Sequence, residues 1–133
     1  MESSEKTTQL IKAIKTGNVQ DAEDLIQEGA DIEEPDVQGW TPLVHAANRG
    51  NAQIIERLIS AGARINDTKE GGSFALMAAL LGDHIAAFRV LLGAGARASL
   101  VDGIPFEKLA HGHLKHGKEM VRLLAEAAGR STP

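Results

Sequence analysis

The stretch that decides the fold runs from Asp36 to Asn51 and reads DVQGWTPLVHAANRGN. Thr41 is suited to cap a helix, because its side-chain oxygen can accept a hydrogen bond from an unpaired backbone amide. Pro42 fits the first helical position, where its missing N–H has no partner. Gly50 permits a tight turn, and Asn51 can cap the next helix. The stretch therefore predicts two antiparallel helices joined by a short turn.

Apolar residues follow at three- and four-residue steps, which put their side chains on one face of the second helix. They are Ile54, Ile55, Leu58 and Ile59. Gly62 can end this helix in the left-handed conformation. One helix pair cannot bury such a stripe alone, so a core forms only when several pairs stack.

The same pattern recurs at intervals of 33 residues on both sides of this stretch. Subtracting 33 leads to matching residues at Thr8, Leu10, Ala13, Gly17, Asn18, Leu25, Ile26, Gly29, Ala30 and Ile32. Adding 33 leads to Gly72, Leu76, Ala79, Leu91, Leu92, Gly95 and Ala96. Agreement of so many positions at one fixed period is typical of a repeat architecture.

The run GWTPLVHAA, residues 39–47, resembles the ankyrin repeat, whose hallmark is a turn glycine, then Thr-Pro-Leu, then small residues. The resemblance implies an all-α solenoid of stacked helix-turn-helix units joined by hairpin-like β-turn loops. We expect one domain with two internal repeats between an N-terminal and a C-terminal capping repeat. Their bounds are 1–35, 36–68, 69–101 and 102–133.

Both internal repeats depart from the family pattern at particular positions. In the second repeat, Val44 stands where the family usually has His, and His45 follows one place later, so the usual Thr–His hydrogen bond is not expected. The third repeat lacks the Thr-Pro pair, and Ser73 is expected to cap its first helix. Asp83 is expected to cap the next helix, and the resemblance gives His84, beside the turn between the helices, a structural hydrogen bond.

Composition limits the classes of protein to which the chain can belong. A length of 133 residues suffices for one domain, and 43% hydrophobic with 24% charged residues is ordinary for a globular chain. The chain contains no cysteine, which excludes disulfides and thiolate metal sites. Its first residues are polar and it has no run of about 18 apolar residues, so we expect a cytoplasmic protein without a membrane partner.

Negative charge is concentrated in the first half of the chain. Residues 1–66 contain 6 Lys/Arg against 11 Asp/Glu, a balance of −5. Phosphate binding needs concentrated positive charge, so no nucleic-acid partner is expected. The acidic run is either a solvated cap face or a docking surface for a basic partner. It comprises Asp21, Glu23, Asp24, Glu28, Asp31, Glu33, Glu34 and Asp36.

Few side chains are arranged for chemistry. His111, His113 and His116 lie close in sequence, but only His113 and His116 have the three-residue spacing that helical metal ligands need. A polar segment between helices explains this cluster better than a metal site, which stays as an alternative, and we expect no cofactor. The chain also lacks a nucleophile motif and a phosphate-binding glycine loop, so we do not expect an enzyme.

The resemblance also implies a place for a partner. Ankyrin-repeat proteins usually bind partners in the groove formed by the turn tips and the outward positions of each first helix. The corresponding residues here are Val37, Gln38, Trp40, His45, Asn48, Arg49, Glu70, Gly71, Ser73, Ala78 and Leu81, with Met77 adjacent and Ile104 and Phe106 in the last turn. Trp40 is the only tryptophan, a residue type enriched among interface hot spots. Alternatively, Trp40 packs over its neighbouring turn and Met77 belongs to the core.

These observations together predict a non-catalytic protein–protein interaction module that is a monomer when free. It would dock another protein in the concave groove as an inhibitor or an adaptor. Inhibition by occlusion is favoured, because scaffolding usually needs a second domain. The alternatives are a self-associating protein that pairs through its apolar turn residues, and a metal-binding protein that uses the C-terminal histidines.

Overall fold

The computed structural model describes residues 3–67, 72–98 and 115–131. This part of the chain is all-helical, with seven helices and no strand. The helices are α1 (Ser3–Thr16), α2 (Val19–Gln27), α3 (Pro42–Arg49), α4 (Ala52–Ser60), α5 (Phe74–Leu81), α6 (Ile85–Gly93) and α7 (Gly117–Ser131). None of these seven is both long and apolar enough to cross a bilayer.

The helices stack in two layers. Helices α1, α3 and α5 lie side by side in the first layer, and α2, α4, α6 and α7 form the second. Within a unit, short turns join α1 to α2, α3 to α4 and α5 to α6, and the two helices of each pair are in contact. The predicted fold of stacked helix pairs is confirmed.

The core lies between the two layers. Ile54, Ile55 and Leu58 of α4 are fully buried, as the predicted apolar stripe requires. Phe88 of α6 and Met120 of α7 are fully buried as well, so the core continues through the second layer. Small alanines are buried where α3 meets its neighbours, which lets the helices approach closely.

The helix ends follow from local chemistry. Thr41, Asn51 and Ser73 each accept a hydrogen bond from the backbone N–H three residues further on, at 3.5, 3.1 and 3.1 Å. Pro42 occupies the first position of α3. Gly50 ends α3 in the left-handed region with φ of 74°, a conformation that glycine adopts without a Cβ penalty. These predicted caps are confirmed.

The prediction that Asp83 caps α6 is wrong. His84 is the N-cap residue and makes no side-chain cap bond. Asp83 lies one residue earlier, at the place of Gly50 in the period, with φ of 58°. Its carboxylate instead accepts hydrogen bonds from the backbone N–H groups of Lys115 at 3.0 Å and His116 at 2.9 Å. Asp83 therefore ties the turn between α5 and α6 to the residues just before α7.

The structural role predicted for His84 is confirmed. Its Nε2 donates a hydrogen bond to the backbone carbonyl oxygen of Asn48 at 2.9 Å, which joins the third unit to the second. The ring also lies directly against Gly50, because a Cβ placed there would be 2.4 Å from the ring Nδ1. Gly50 thus serves both the turn and the close approach of His84.

Candidate functional site

The turn before α3 is held by the side chain of Asp36. Its Oδ1 accepts hydrogen bonds from the backbone N–H groups of Gln38 at 2.9 Å and Trp40 at 3.0 Å. The backbone N–H of Asp36 donates to the carbonyl oxygen of Trp40 at 2.9 Å. Gly39, with φ of 84°, allows the chain to reverse here. The result is a projecting turn with the side chain of Val37 fully exposed at its tip.

The prediction that His45 faces outward is wrong. Its side chain is buried, with Nε2 at 2.7 Å from Oδ2 of Asp36. Its ring packs against Trp40 with 5.1 Å between ring centroids. A buried imidazole needs a hydrogen-bond partner, and the carboxylate in the preceding turn provides it. The hydrogen bond from Trp40, with others from His45 and Gln38, lowers the pKa of Asp36 against the opposing effect of burial.

Ser73 does not face outward either. It is buried, its hydroxyl caps α5, and its backbone N–H donates to the carbonyl oxygen of Arg97 at 2.9 Å. The reason lies in where α5 begins. Pro42, the first residue of α3, corresponds to Ala75 in the period, but α5 begins one residue earlier, at Phe74. Ser73 therefore takes a capping position, and Phe74 becomes the exposed residue next to it.

Two depressions flank the projecting turn. The first has a volume of about 690 Å³ and lies between α1 and residues 34–37, and we call it the α1 cleft. Its lining comprises Thr7, Thr8, Ile11, Lys12, Lys15, Glu34, Pro35, Asp36 and Val37. Lys12 and Lys15 are exposed, and neither forms an ion pair within the part of the chain that the structure describes.

The second depression lies on the other side of the turn, and we call it the α3–α5 groove. Its volume is about 300 Å³. It is lined by Gln38, Gly39, Trp40, Val44, Asn48, Phe74, Met77, Ala78 and Leu81. None of these side chains carries a charge, and most of them are apolar. This lining can therefore accept large apolar side chains from a partner.

The two linings occupy equivalent places on α1, α3 and α5, which lie side by side. One row, with one member per helix, comprises Ile11, Val44 and Met77. The next comprises Lys15, Asn48 and Leu81. The first row is apolar throughout, whereas the second changes from cationic through polar to apolar along the stack.

Large hydrophobic side chains are exposed at three places among the described residues. They are Val37, Phe74, at 46%, and Leu81, at 55%. All three line one of the two depressions. Single exposed apolar residues are normal, but Phe74 and Leu81 share one groove, and apolar residues grouped in this way are typical of an interaction site.

Most of the predicted site residues within the described ranges meet at these depressions. Val37 lines the α1 cleft, and the α3–α5 groove includes Gln38, Trp40, Asn48, Met77, Ala78 and Leu81. Arg49 is exposed at the end of α3 but lines neither depression. Glu70, Gly71, Ile104 and Phe106 lie outside the described residues.

Several residues that line the two depressions were not predicted from the sequence. Val44 and Phe74 belong to the α3–α5 groove, and Ile11, Lys12 and Lys15 belong to the α1 cleft. The period contained a signal for the α1 residues, because Lys15 lies 33 places before Asn48, which was predicted to line the site.

Of the three C-terminal histidines, His116 lies within the described residues. His111 and His113 lie outside the described residues. In the ranges that are described, no group of three or more His, Cys, Asp or Glu side chains is placed to hold a metal ion. His116 lies beside Asp83, whose carboxylate accepts its backbone N–H.

Comparison with known proteins bears on the first six helices. The family model of ankyrin repeats (3 copies) matches residues 5–102 of the chain. This range contains nearly all of α1 and the whole of α2 to α6, and with them both depressions. No curated protein matched the chain.

Proposed function

The chain belongs to the ankyrin-repeat family, and we propose that it is a non-catalytic module that docks a partner protein across the α1 cleft and the α3–α5 groove. Ankyrin repeats are generally protein–protein interaction modules, and the family is typically non-catalytic. The observation that carries the proposal is that Val37, Phe74 and Leu81, the exposed large hydrophobic side chains of the described residues, all line these two depressions.

Inhibition by occlusion, which is favoured from the sequence, is the form of docking that we propose. The hydrogen bond from His84 to Asn48 and that from the backbone N–H of Arg64 to Glu33 Oε1, at 2.8 Å, hold neighbouring units together. A surface that is ordered before binding loses little conformational entropy when it docks. An interface of standard size, about 800 Å² per partner, would hide that much of the partner's own surface.

Two further points stay predictions. The first is that residues 102–133 form the closing repeat. In its support, α7 contacts α6, as α6 contacts α4 in the same layer. The second is the cytoplasmic location expected from the sequence.

The test is affinity capture from native lysate with the wild-type chain and two variants. Leu81→Arg places a charge in the α3–α5 groove, whereas Ala86→Arg places the same charge on an exposed site of α6 in the other layer. We expect one protein to be retained by the wild type and by Ala86→Arg and to be lost with Leu81→Arg. Retention of the same protein by all three chains would show that the groove is not the docking site.

A further inference from the structure

The cationic side chains of the docking surface all lie at its α1 end. Lys12 and Lys15 are exposed there without an ion-pair partner among the described side chains. Glu34 and Asp36 line the opposite wall of the α1 cleft. The Asp36 carboxylate, however, is already bonded to two backbone N–H groups and to His45. A carboxylate from a partner would therefore meet two ammonium groups that no described side chain pairs with, and Glu34 would be its competitor on the other wall.

Of the two lysines, only Lys15 belongs to the α1 cleft alone. Lys12 also borders a polar depression that includes Asp21, Asp24 and Glu28, whereas Lys15 lines the α1 cleft alone among the three depressions. The acids of α2 repel an acidic partner at long range. At physiological ionic strength, however, exposed charges more than about 8 Å apart are largely screened. Within the described ranges, no ion pair joins Lys15 to these acids, so its ammonium group is available to a carboxylate of the partner.

The α5 end of the surface is uncharged. Trp40, Phe74, Met77 and Leu81 line the α3–α5 groove together with polar but neutral side chains. An apolar side chain that enters this groove removes apolar surface from water on both partners. A charged side chain would lose hydration there, and the lining offers it no opposite charge in return. The groove therefore selects for large apolar side chains.

The distance between the two ends sets the length of the segment that can join them. Lys15, Asn48 and Leu81 occupy equivalent places on three adjacent helices. Packed helices lie about 8–10 Å apart, so this row extends over roughly 16–20 Å. An extended chain advances about 3.3 Å per residue, so about six residues cover the row.

We propose that the partner presents an extended segment with an Asp or Glu side chain at Lys15 and a large apolar side chain in the α3–α5 groove about six residues away. The inference rests on the proposed function, because it describes the partner of that same surface. A basic segment attracted by the acidic half of the chain, and a second copy of this chain, are the competing occupants.

The test begins with a random octapeptide library displayed on phage and selected on the full chain. Peptides that also bind Leu81→Arg are discarded, so the remainder depend on the groove. Their dissociation constants are then measured by fluorescence anisotropy against the wild type, Lys12→Glu, Lys15→Glu and Lys118→Glu. Lys118 is an exposed lysine on α7 in the other layer and provides the matched charge reversal. Because all four substituted side chains are exposed or line open depressions, circular dichroism should show unchanged helix content.

We expect the selected peptides to share an acidic residue and a large apolar residue separated by about five or six positions. Lys15→Glu should weaken their binding by about fivefold, the upper range for one exposed ion pair, and Lys118→Glu should leave it unchanged. A peptide with Lys in place of its acidic residue should bind the wild type more weakly and regain affinity for Lys15→Glu.

Groove-dependent peptides that lack an acidic residue, or that bind Lys15→Glu as well as the wild type, would overturn the inference and leave the proposed function standing. Selection of basic peptides would do the same. If no groove-dependent peptide is selected, the inference fails, and the lysate capture described above decides separately on the proposed function. A concentration-dependent dimer that is lost with Leu81→Arg would make a second copy the occupant and would also overturn the inference.

Discussion

The carboxylate of Asp36 holds the backbone of the projecting turn and the buried side chain of His45 together. Its Oδ1 holds the backbone of the projecting turn through Gln38 and Trp40, and its Oδ2 lies 2.7 Å from Nε2 of the buried His45. The ring of His45 in turn supports the ring of Trp40, which lines the α3–α5 groove. The shape of the turn between the two depressions therefore depends on the ionised form of Asp36.

This dependence predicts a loss of stability in acid. The hydrogen bond from the Trp40 N–H, with those from His45 and Gln38, lowers the pKa of Asp36 below its ordinary value of 3.8. As the pH falls, the unfolded chain takes up the proton first, so the contribution of Asp36 is complete above about 4 and is lost as the pH falls through its lower folded-state pKa. The free energy of unfolding, measured by urea denaturation between about pH 2 and 6, should decrease below about pH 4.

The control for this prediction is a pair of carboxylate-to-amide variants. Asp36→Asn should lower stability at neutral pH and make the decrease in acid shallower. Glu56→Gln, at an exposed site on α4, should do neither. An Asp36→Asn curve parallel to that of the wild type would mean that this carboxylate does not couple the turn to folding.

At the residue level, the sequence predicts what local chemistry decides. The caps at Thr41 and Ser73 follow from residues a few places apart, and the structure confirms both. The buried position of His45 follows instead from its partner Asp36, nine residues earlier. The period carries no signal for this pair, because the residue 33 places after Asp36 is Lys69. An unrepeated pair of this kind is invisible to reasoning from a repeat.

At the level of the helix, equivalent elements share an inner face and differ on the outer one. Leu10, Leu43 and Leu76 are each almost fully buried at the same place in α1, α3 and α5. The outer row of the same helices changes from Lys15 to Leu81. The period therefore predicts the core side of every unit, whereas the chemistry of the docking surface depends on the individual residue in each unit.

The first prediction at this level concerns the core of α4. Leu58 is fully buried, so Leu58→Ala should lower the free energy of unfolding by about 2–5 kcal/mol through the cavity it leaves. Leu81→Ala removes the same atoms from a side chain that is 55% exposed and should cost less than about 1 kcal/mol. Equal losses in urea denaturation would show that the inner face of α4 is wrongly placed.

The second concerns the contact between α3 and the turn after α5. Gly50→Ala places a Cβ 2.4 Å from the ring of His84, which must move away from its hydrogen bond to Asn48. Gly62 has a similar left-handed backbone, with φ of 96°, but a Cβ there meets nothing within 4 Å. Both variants carry the backbone strain of about 1–2 kcal/mol for a left-handed alanine. Gly50→Ala should therefore have the lower melting temperature, and equal melting temperatures would contradict the role given to His84.

At the level of the whole molecule, side chains join the units at repeated positions. Glu33 Oε1 accepts the backbone N–H of Arg64, and Asn66 Oδ1 accepts that of Arg97 at 2.7 Å, so the same link recurs 33 residues later. The first three units are thus held together both by their apolar faces and by their loops. Stacking of this kind makes stability depend on contacts between neighbours, and it fixes the two depressions relative to each other.

The whole fold can be predicted from the sequence because the repeat shows the same weak local signal several times. One helix pair is ambiguous, but the same pattern in successive units leaves little freedom in how they stack. The docking surface is harder to predict from the sequence, since it depends on where each helix begins. The one-residue earlier start of α5 buries Ser73 and exposes Phe74, and the period alone does not show this shift.

The most direct test of the docking surface is site-specific photocrosslinking in native lysate. A benzophenone amino acid is placed at Phe74 or Leu81 in the α3–α5 groove, or at Ala86 or Lys118 in the other layer. We expect one discrete covalent adduct with another protein from the two groove positions and no such adduct from the two control positions. Adducts from the control positions alone, or the same adduct from all four, would contradict it.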